Sequence, residues 1–105
     1  MQPPEEPKVD SAPINAVVLS AEAELRLRLR VNVRAYRRAA KLTLKAASTR
    51  AEMHWRHWQK IEAGEVNATL QTLVRIAAAV GVDPADLLEL PSTPPPMPPR
   101  EKPEA

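Results

Sequence analysis

The sequence predicts an all-α domain of five helices between two proline-rich, disordered tails. Four of the twelve prolines lie in residues 1–13 and seven in residues 91–105, which leaves Pro84 as the only proline between them. Proline interrupts helices, and such segments bury too little apolar surface to fold. Between the tails, apolar residues recur at helical spacing, and the two glycines stand where helices would end. We therefore expect a folded domain over residues 14–90.

The first helix is predicted from a pattern that has two interpretations. Residues 24–33, ELRLRLRVNV, alternate apolar and basic side chains, which alone is typical of a half-buried strand. Helical spacing explains more of the segment, because five residues recur three or four apart: Leu25, Leu29, Val33, Tyr36 and Ala40. Ser20 is a candidate N-cap. We predict a helix that ends at residue 41 and starts near residue 21 or near residue 29.

A threonine and a glycine delimit the second and third helices. Thr43 can cap a second helix over residues 44–51, and a third helix follows over residues 55–63 after a short break. Gly64 then suits a left-handed C-terminal cap. The two helices are short and joined by a tight turn.

The fourth and fifth helices complete the predicted fold. Thr69 opens a fourth helix that ends at Gly81, and Asp83 and Pro84 suit the N-cap and first position of a fifth helix that Pro91 stops. One apolar stripe runs along the fourth helix: Leu70, Leu73, Ile76, Ala77 and Val80. The fifth helix carries Leu87, Leu88 and Leu90.

Charge is strongly segregated along the chain, although the formal net charge is only +2. Residues 26–60 contain eleven basic residues and a single acid, Glu52, whereas the rest of the chain contains four basic and twelve acidic residues. The basic residues of this segment are Arg26, Arg28, Arg30, Arg34, Arg37, Arg38, Lys41, Lys45, Arg50, Arg56 and Lys60. Segregation on this scale favours a surface that binds a polyanion over a merely solvated face.

Composition argues against several kinds of site. The chain has no cysteine, which excludes disulfides, thiolate nucleophiles and the usual zinc-finger ligand sets. His54 and His57 lie three residues apart, but a zinc site needs three or four ligands. No nucleophile and base pair, glycine-rich phosphate loop or carboxylate dyad is recognisable. We expect no enzymatic activity, no metal and no cofactor.

The sequence also lacks membrane and export signals. No stretch approaches the roughly 18 apolar residues that span a bilayer. The first residues, MQPPEEPKVD, lack the basic start and apolar run of a signal peptide. We expect a cytoplasmic protein without membrane contacts.

Residues 42–64, LTLKAASTRAEMHWRHWQKIEAG, and the later segment IAAAVGVDPADLLEL resemble the phage-repressor (Cro/Xre-type) helix-turn-helix family. The resemblance runs from Leu29 to Leu90. Its main residues are an arginine in helix 1, the leucine and threonine that open helix 2, and the end of helix 3: Arg37, Leu42, Thr43, Ile61, Glu62, Ala63 and Gly64. It implies a five-helix, lambda-repressor-like fold. It also implies that Glu62 is a structural partner of a basic residue such as Arg37, not a catalytic base.

The helix-turn-helix segment departs from the family pattern at six positions: Leu44, Ala47, Ser48, Glu52, His54 and Trp58. Glu52 stands where the turn usually has a small residue, often glycine. His54 stands where a serine or threonine normally caps the third helix. Trp58 replaces a medium aliphatic residue and can fill the volume that Ala47 leaves empty, because cores tolerate volume-conserving exchanges.

The resemblance implies that the third helix is the recognition helix, which lies in the major groove of DNA. Four residues point outward there and are candidates for base contacts: Trp55, Arg56, Gln59 and Lys60. Arg56 suits guanine, Gln59 suits adenine, and Lys60 suits guanine or phosphate. The candidates for phosphate contacts are Arg37, Arg38, Lys41, Lys45, Arg50 and His54. The alternative for each is an ordinary solvated helix face.

The implied function is that of a sequence-specific transcription regulator that binds double-stranded DNA as a homodimer. One short recognition helix covers too few base pairs for useful specificity, so a two-fold operator is expected. An autoregulatory antitoxin or a restriction controller is compatible with this interpretation. Two apolar stretches are candidate dimer contacts, residues 14–19 and the exposed side of residues 87–90.

The competing hypothesis is an adaptor module that keeps the fold but contacts protein. The exposed indole of Trp55 is then a patch for a protein partner. The proline-rich tails can serve as partner-docking segments in the polyproline conformation.

Overall fold

The first helix, α1, runs from Ile14 to Ala39 in the computed structural model, which describes residues 13–91. The prediction of a start near residue 21 or 29 is wrong, because Ser20 lies inside the helix and Pro13 precedes its first turn. No proline or glycine interrupts residues 14–40, so nothing in the backbone stops the helix from extending towards the N-terminus. Two glutamate–arginine pairs four residues apart, with N···O distances of 2.5 and 3.1 Å, support this extension.

The remaining helices follow the predicted order. α2 spans Leu44–Arg50, α3 spans Trp55–Glu62 and α4 spans Leu70–Val80, each close to its predicted bounds. The threonine caps are confirmed, because Thr43 accepts a hydrogen bond from the backbone of Ala46 and Thr69 accepts one from the backbone of Thr72. Residues 13–91 contain no strand. The predicted tails, apart from Pro13 and Pro91, lie outside the described residues.

The predicted fifth helix is a 3-10 helix over Pro84–Leu88. Its start is as expected, since the Asp83 side chain accepts from the backbone N–H of Ala85 at 2.9 Å. The Asp86 side chain reciprocates by accepting from the backbone N–H of Asp83 at 3.1 Å. The α-helix that the sequence predicted does not form here. Pro91 has no backbone N–H, so in an α-helix the Leu87 carbonyl would have no donor four residues on.

The side chain of Asn32, on α1, supplies hydrogen-bond donors to backbone carbonyls at the end of the 3-10 helix, where Pro91 has no N–H to offer. Its side-chain amide donates to the carbonyls of Leu87 at 3.0 Å and Glu89 at 2.7 Å, and Asn32 itself is buried. The sequence pattern did not predict a role for this polar residue inside an apolar stripe. Its position shows how the last element is fastened to α1.

The core lies between the C-terminal half of α1 and the other helices. Its buried apolar residues are Leu29, Val33, Ala47, Ala51, Trp58, Ile61, Leu73, Ile76, Ala77, Ala79, Val80 and Leu87. Leu25 was expected on this face but remains 44% exposed. Leu87 is fully buried, so it is part of the core and is not available to the dimer contact predicted at residues 87–90.

Within residues 13–91, no helix has the length and apolar character that a membrane span requires.

Tyr36 lies at the edge of this core, near the 3-10 helix. Burial raises the pKa of its phenol above the usual value, and the carboxylates of Asp86 and Glu89 raise it further. The phenol is therefore neutral throughout the physiological pH range.

A largely buried ion pair joins α1 to α3. The Arg37 guanidinium donates to both carboxylate oxygens of Glu62, with N···O distances of 2.6 and 3.0 Å, and also to the carbonyl of Leu42 at 2.9 Å. The indole N–H of Trp58 donates to the same carboxylate at 2.6 Å. The Arg37 and Glu62 side chains are only 13% and 10% exposed. The predicted pairing of Glu62 with Arg37 is confirmed.

Removing the Glu62 carboxylate should destabilise the fold strongly. Glu62→Ala leaves the charge of Arg37 and the N–H of Trp58 without an acceptor in a poorly solvated site, and we expect a loss of about 3–5 kcal/mol. Urea unfolding followed by tryptophan fluorescence measures it. Glu65→Ala is the control, because Glu65 is exposed and its side chain makes no hydrogen bond within residues 13–91. Equal urea midpoints for the two variants would show that the ion pair does not hold α3 in place.

Candidate nucleic-acid interface

The turn between α2 and α3 is set by backbone hydrogen bonds at the end of α2. The N–H of Met53 donates to the carbonyl of Ser48 at 2.9 Å, and the N–H of Glu52 donates to the carbonyl of Thr49 at 3.0 Å. This pair of bonds is a Schellman motif, which requires a left-handed residue at its centre. Glu52 is that residue, with φ of 56°. The position at which the family usually has glycine thus keeps the glycine conformation.

Arg75 of α4 braces this turn from the side. Its guanidinium donates to the carbonyl of Ala51 at 3.3 Å, and it lies 3.7 Å from the carboxylate of Glu52. Ala51 is itself buried in the core. The turn is therefore held at its backbone by a neighbouring helix.

His54 caps α3 in place of the serine or threonine of the family pattern. Its Nδ1 accepts a hydrogen bond from the backbone N–H of Arg56 at 3.0 Å, which requires an unprotonated Nδ1. The ring of His54 also stacks on Trp55 with a centroid distance of 5.9 Å, and the guanidinium of Arg56 lies 5.4 Å from the Trp55 ring. The start of α3 is an ordered aromatic and cationic cluster.

The two sides of α3 have different environments. Trp58 and Ile61 are buried, and the four residues predicted to contact bases are exposed: Trp55, Arg56, Gln59 and Lys60. At about 100° per residue, Arg56 points most directly away from Trp58 and Ile61, and Gln59 and Lys60 lie about 50° to either side of the outward direction. His57 is also exposed, but it lies only about 40° around the helix from the buried Ile61, at the edge of the outward side. The sequence predicted no DNA contact for it.

Five of the six residues predicted to contact phosphate are exposed: Arg38, Lys41, Lys45, Arg50 and His54. Lys41 lies in the turn before α2 with φ of 60°, the second non-glycine residue in the left-handed region. Arg37 is different, because its guanidinium is committed to Glu62 and to the carbonyl of Leu42. The structure thus separates Arg37 from the other phosphate candidates.

The positive charge of residues 26–60 is mostly uncompensated on the surface. Arg26, Arg28 and Arg37 pair with glutamates. The other eight basic residues are exposed and form no ion pair within residues 13–91: Arg30, Arg34, Arg38, Lys41, Lys45, Arg50, Arg56 and Lys60. Such a surface attracts a polyanion at long range.

No group of three or more histidine, aspartate or glutamate side chains is placed to hold a metal ion among the described residues. His54 instead caps α3, and His57 is exposed on the surface of that helix.

A family model for helix-turn-helix domains matches residues 28–90, more than half of the chain. The chain belongs to the helix-turn-helix domain family. The match covers the whole segment that resembles the Cro/Xre type, and it includes both α2 and α3. Membership indicates a DNA-binding protein, and the family is typically non-enzymatic. Comparisons with the curated proteins and with the solved structures give no match.

The left-handed conformation of Glu52 makes a testable prediction for this helix-turn-helix. A non-glycine residue in the left-handed region destabilises the fold by about 1–2 kcal/mol, and glycine avoids this strain. Glycine also loses more conformational entropy on folding, which cancels part of the stabilisation. We therefore expect Glu52→Gly to raise the free energy of unfolding by about 0.5–1 kcal/mol, as measured by thermal or urea unfolding.

Glu52→Ala is the matched control. It keeps a Cβ at positive φ and removes only the weak, exposed pairing with Arg75. A stabilisation by alanine as large as that by glycine would mean that the Glu52 carboxylate, and not backbone strain, is unfavourable at this turn.

Proposed function

We propose that this helix-turn-helix protein is a sequence-specific transcription regulator that inserts α3 into the major groove of double-stranded DNA. The observation that carries the proposal is the outward side of α3, where Arg56, Gln59 and Lys60 are exposed on a helix whose inner side is fixed by Glu62. Side chains on an anchored helix hold the geometry that base recognition requires.

The exposed residues divide by chemistry into two groups. Arg56 and Gln59 can each make two hydrogen bonds to one base edge, to guanine and adenine respectively, and Lys60 can reach guanine or phosphate. Lys45, near the start of α2, suits phosphate because the first helix of such a pair crosses the DNA backbone. Arg37 is left out of the proposed contacts, since moving its guanidinium would break the ion pair that positions α3.

We further propose that two copies bind a two-fold operator. α3 has eight residues, and only its outward side is available, so one copy reads few base pairs. A small autoregulatory repressor, antitoxin or restriction controller fits this arrangement.

The first prediction of this proposal concerns salt. If the exposed basic residues neutralise phosphates, the logarithm of affinity falls linearly with the logarithm of salt concentration, with a slope of about −0.9 per phosphate. Four contacts would give a slope of about −3.6. Fluorescence anisotropy with a labelled random-sequence duplex measures it, and an affinity independent of salt would contradict the proposal.

The second prediction separates base contacts from phosphate contacts. On a selected duplex, Arg56→Ala should cost about 1–3 kcal/mol of binding free energy and relax the preference at one base position. Lys45→Ala is the matched variant, and it should weaken binding to all sequences alike and reduce the salt slope by about one. Both side chains are exposed, so neither change should affect folding.

A different result would favour the adaptor hypothesis. The indole of Trp55 is 41% exposed, which is a feature of protein-contact surfaces as well as of DNA contacts. If the folded protein binds no duplex at low salt, the DNA-binding proposal is wrong. Trp55→Ala then becomes the variant with which to test a protein partner.

A further inference from the structure

The core-facing side of α1 continues beyond the rest of the fold. Leu29, Val33 and Tyr36 lie on this side and pack in or against the core. Ile14 and Val18 lie on it further towards the N-terminus, where they are 73% and 51% exposed. The first three turns or more of α1 thus present an apolar stripe that the described part of the chain leaves uncovered.

This half of the helix needs a packing partner. Isolated helices of this length are marginal in water, and most helical stability in proteins comes from burying an apolar side. Four residues form the uncovered stripe, and at 100° per residue they fall within about 60° of one another: Ile14, Val18, Ala21 and Leu25.

The spacing of this stripe suits a second copy of the same chain. Its four positions are separated by four, three and four residues, a pattern that is identical in both chain directions. A two-fold axis between residues 19 and 20 therefore places Ile14 opposite Leu25 of the partner subunit, and Val18 opposite Ala21 of the partner subunit. Every stripe residue then meets an apolar residue, as a self-complementary contact requires.

Charge favours the antiparallel direction. A parallel pair would set Arg26, Arg28 and Arg30 of each copy beside the same arginines of the other. An antiparallel pair places the three arginines of one copy at the opposite end of the stripe from those of the other copy. Like charges are then kept apart.

We infer that the N-terminal half of α1 is a dimer interface, at which two copies pair antiparallel through Ile14, Val18, Ala21 and Leu25. The inference deepens the proposed function, because it supplies the two-fold symmetry for a two-fold operator. It assigns the dimer to α1 and not to the leucines at the end of the domain.

Disulfide trapping tests the direction of the pair, since the natural chain has no cysteine to interfere. Ile14→Cys and Leu25→Cys are prepared separately as full-length chains, mixed, equilibrated and oxidised. Only the mixture should form cross-linked dimers on a non-reducing gel. In the antiparallel pair, Ile14 lies about 16 Å along the axis from its own copy, too far for a disulfide. Cross-linking of each variant alone would show a parallel pair, and no cross-linking in any sample would also overturn the inference.

Light scattering of the full chain without DNA tests the interface itself. The natural chain should show twice its mass of 11.6 kDa at micromolar concentration. Val18→Glu should shift it to the monomer, and Leu70→Glu, which charges an exposed apolar residue on α4, should leave the dimer intact. Helical circular dichroism checks that both variants fold. A monomeric natural chain, or a dimer lost only in Leu70→Glu, would overturn the inference.

The outcome of these measurements is independent of the outcome of the DNA-binding measurements that test the proposed function. A chain that dimerises through Val18 but binds no duplex supports the interface and contradicts DNA binding. A monomeric chain with salt-dependent duplex binding does the reverse.

Discussion

The Glu62 carboxylate is the point on which the arrangement of the helices depends. It accepts hydrogen bonds from Arg37 of α1 and Trp58 of α3, and Arg37 also holds the carbonyl of Leu42 before α2 begins. Three segments of the helix-turn-helix thus meet at one largely buried carboxylate. Such a pair is stabilising only when every donor and acceptor is satisfied, which restricts α3 to one orientation on α1. The outward side of α3 is fixed as a consequence.

The departures from the family pattern have physical compensations in the same small region. Glu52 adopts the left-handed conformation that glycine would adopt, and two backbone bonds and Arg75 hold it there. His54 accepts the hydrogen bond that a hydroxyl side chain would accept at the start of α3. Trp58 and Ala47 are both fully buried, in keeping with an exchange of volume across the core. The motif is preserved by geometry where its residue types have changed.

The long first helix has two different environments along its length. Its C-terminal half is covered by the domain, and Asn32 in that half fastens the 3-10 helix by donating to the carbonyls of Leu87 and Glu89. Its N-terminal half carries the same apolar side, which no other part of residues 13–91 covers, as the exposure of Ile14 and Val18 shows. One continuous helix therefore extends the apolar side beyond the helix-turn-helix domain without a proline or glycine to interrupt it.

The sequence by itself determined the helix order, the caps at Thr43 and Thr69, the left-handed end at Gly64 and the end of α4 at Gly81, because each depends on residues close together in the chain. The family pattern predicted the pairing of Arg37 with Glu62 and the exposed side of α3. Other features needed the tertiary structure. The start of α1 was missed because a helix without a breaker can pass a candidate cap such as Ser20. The last element is fastened to α1 by Asn32, more than fifty residues away in the chain, and the ion pair with Glu62 separates Arg37 from the exposed phosphate candidates. These contacts join distant parts of the chain, and local patterns do not encode them.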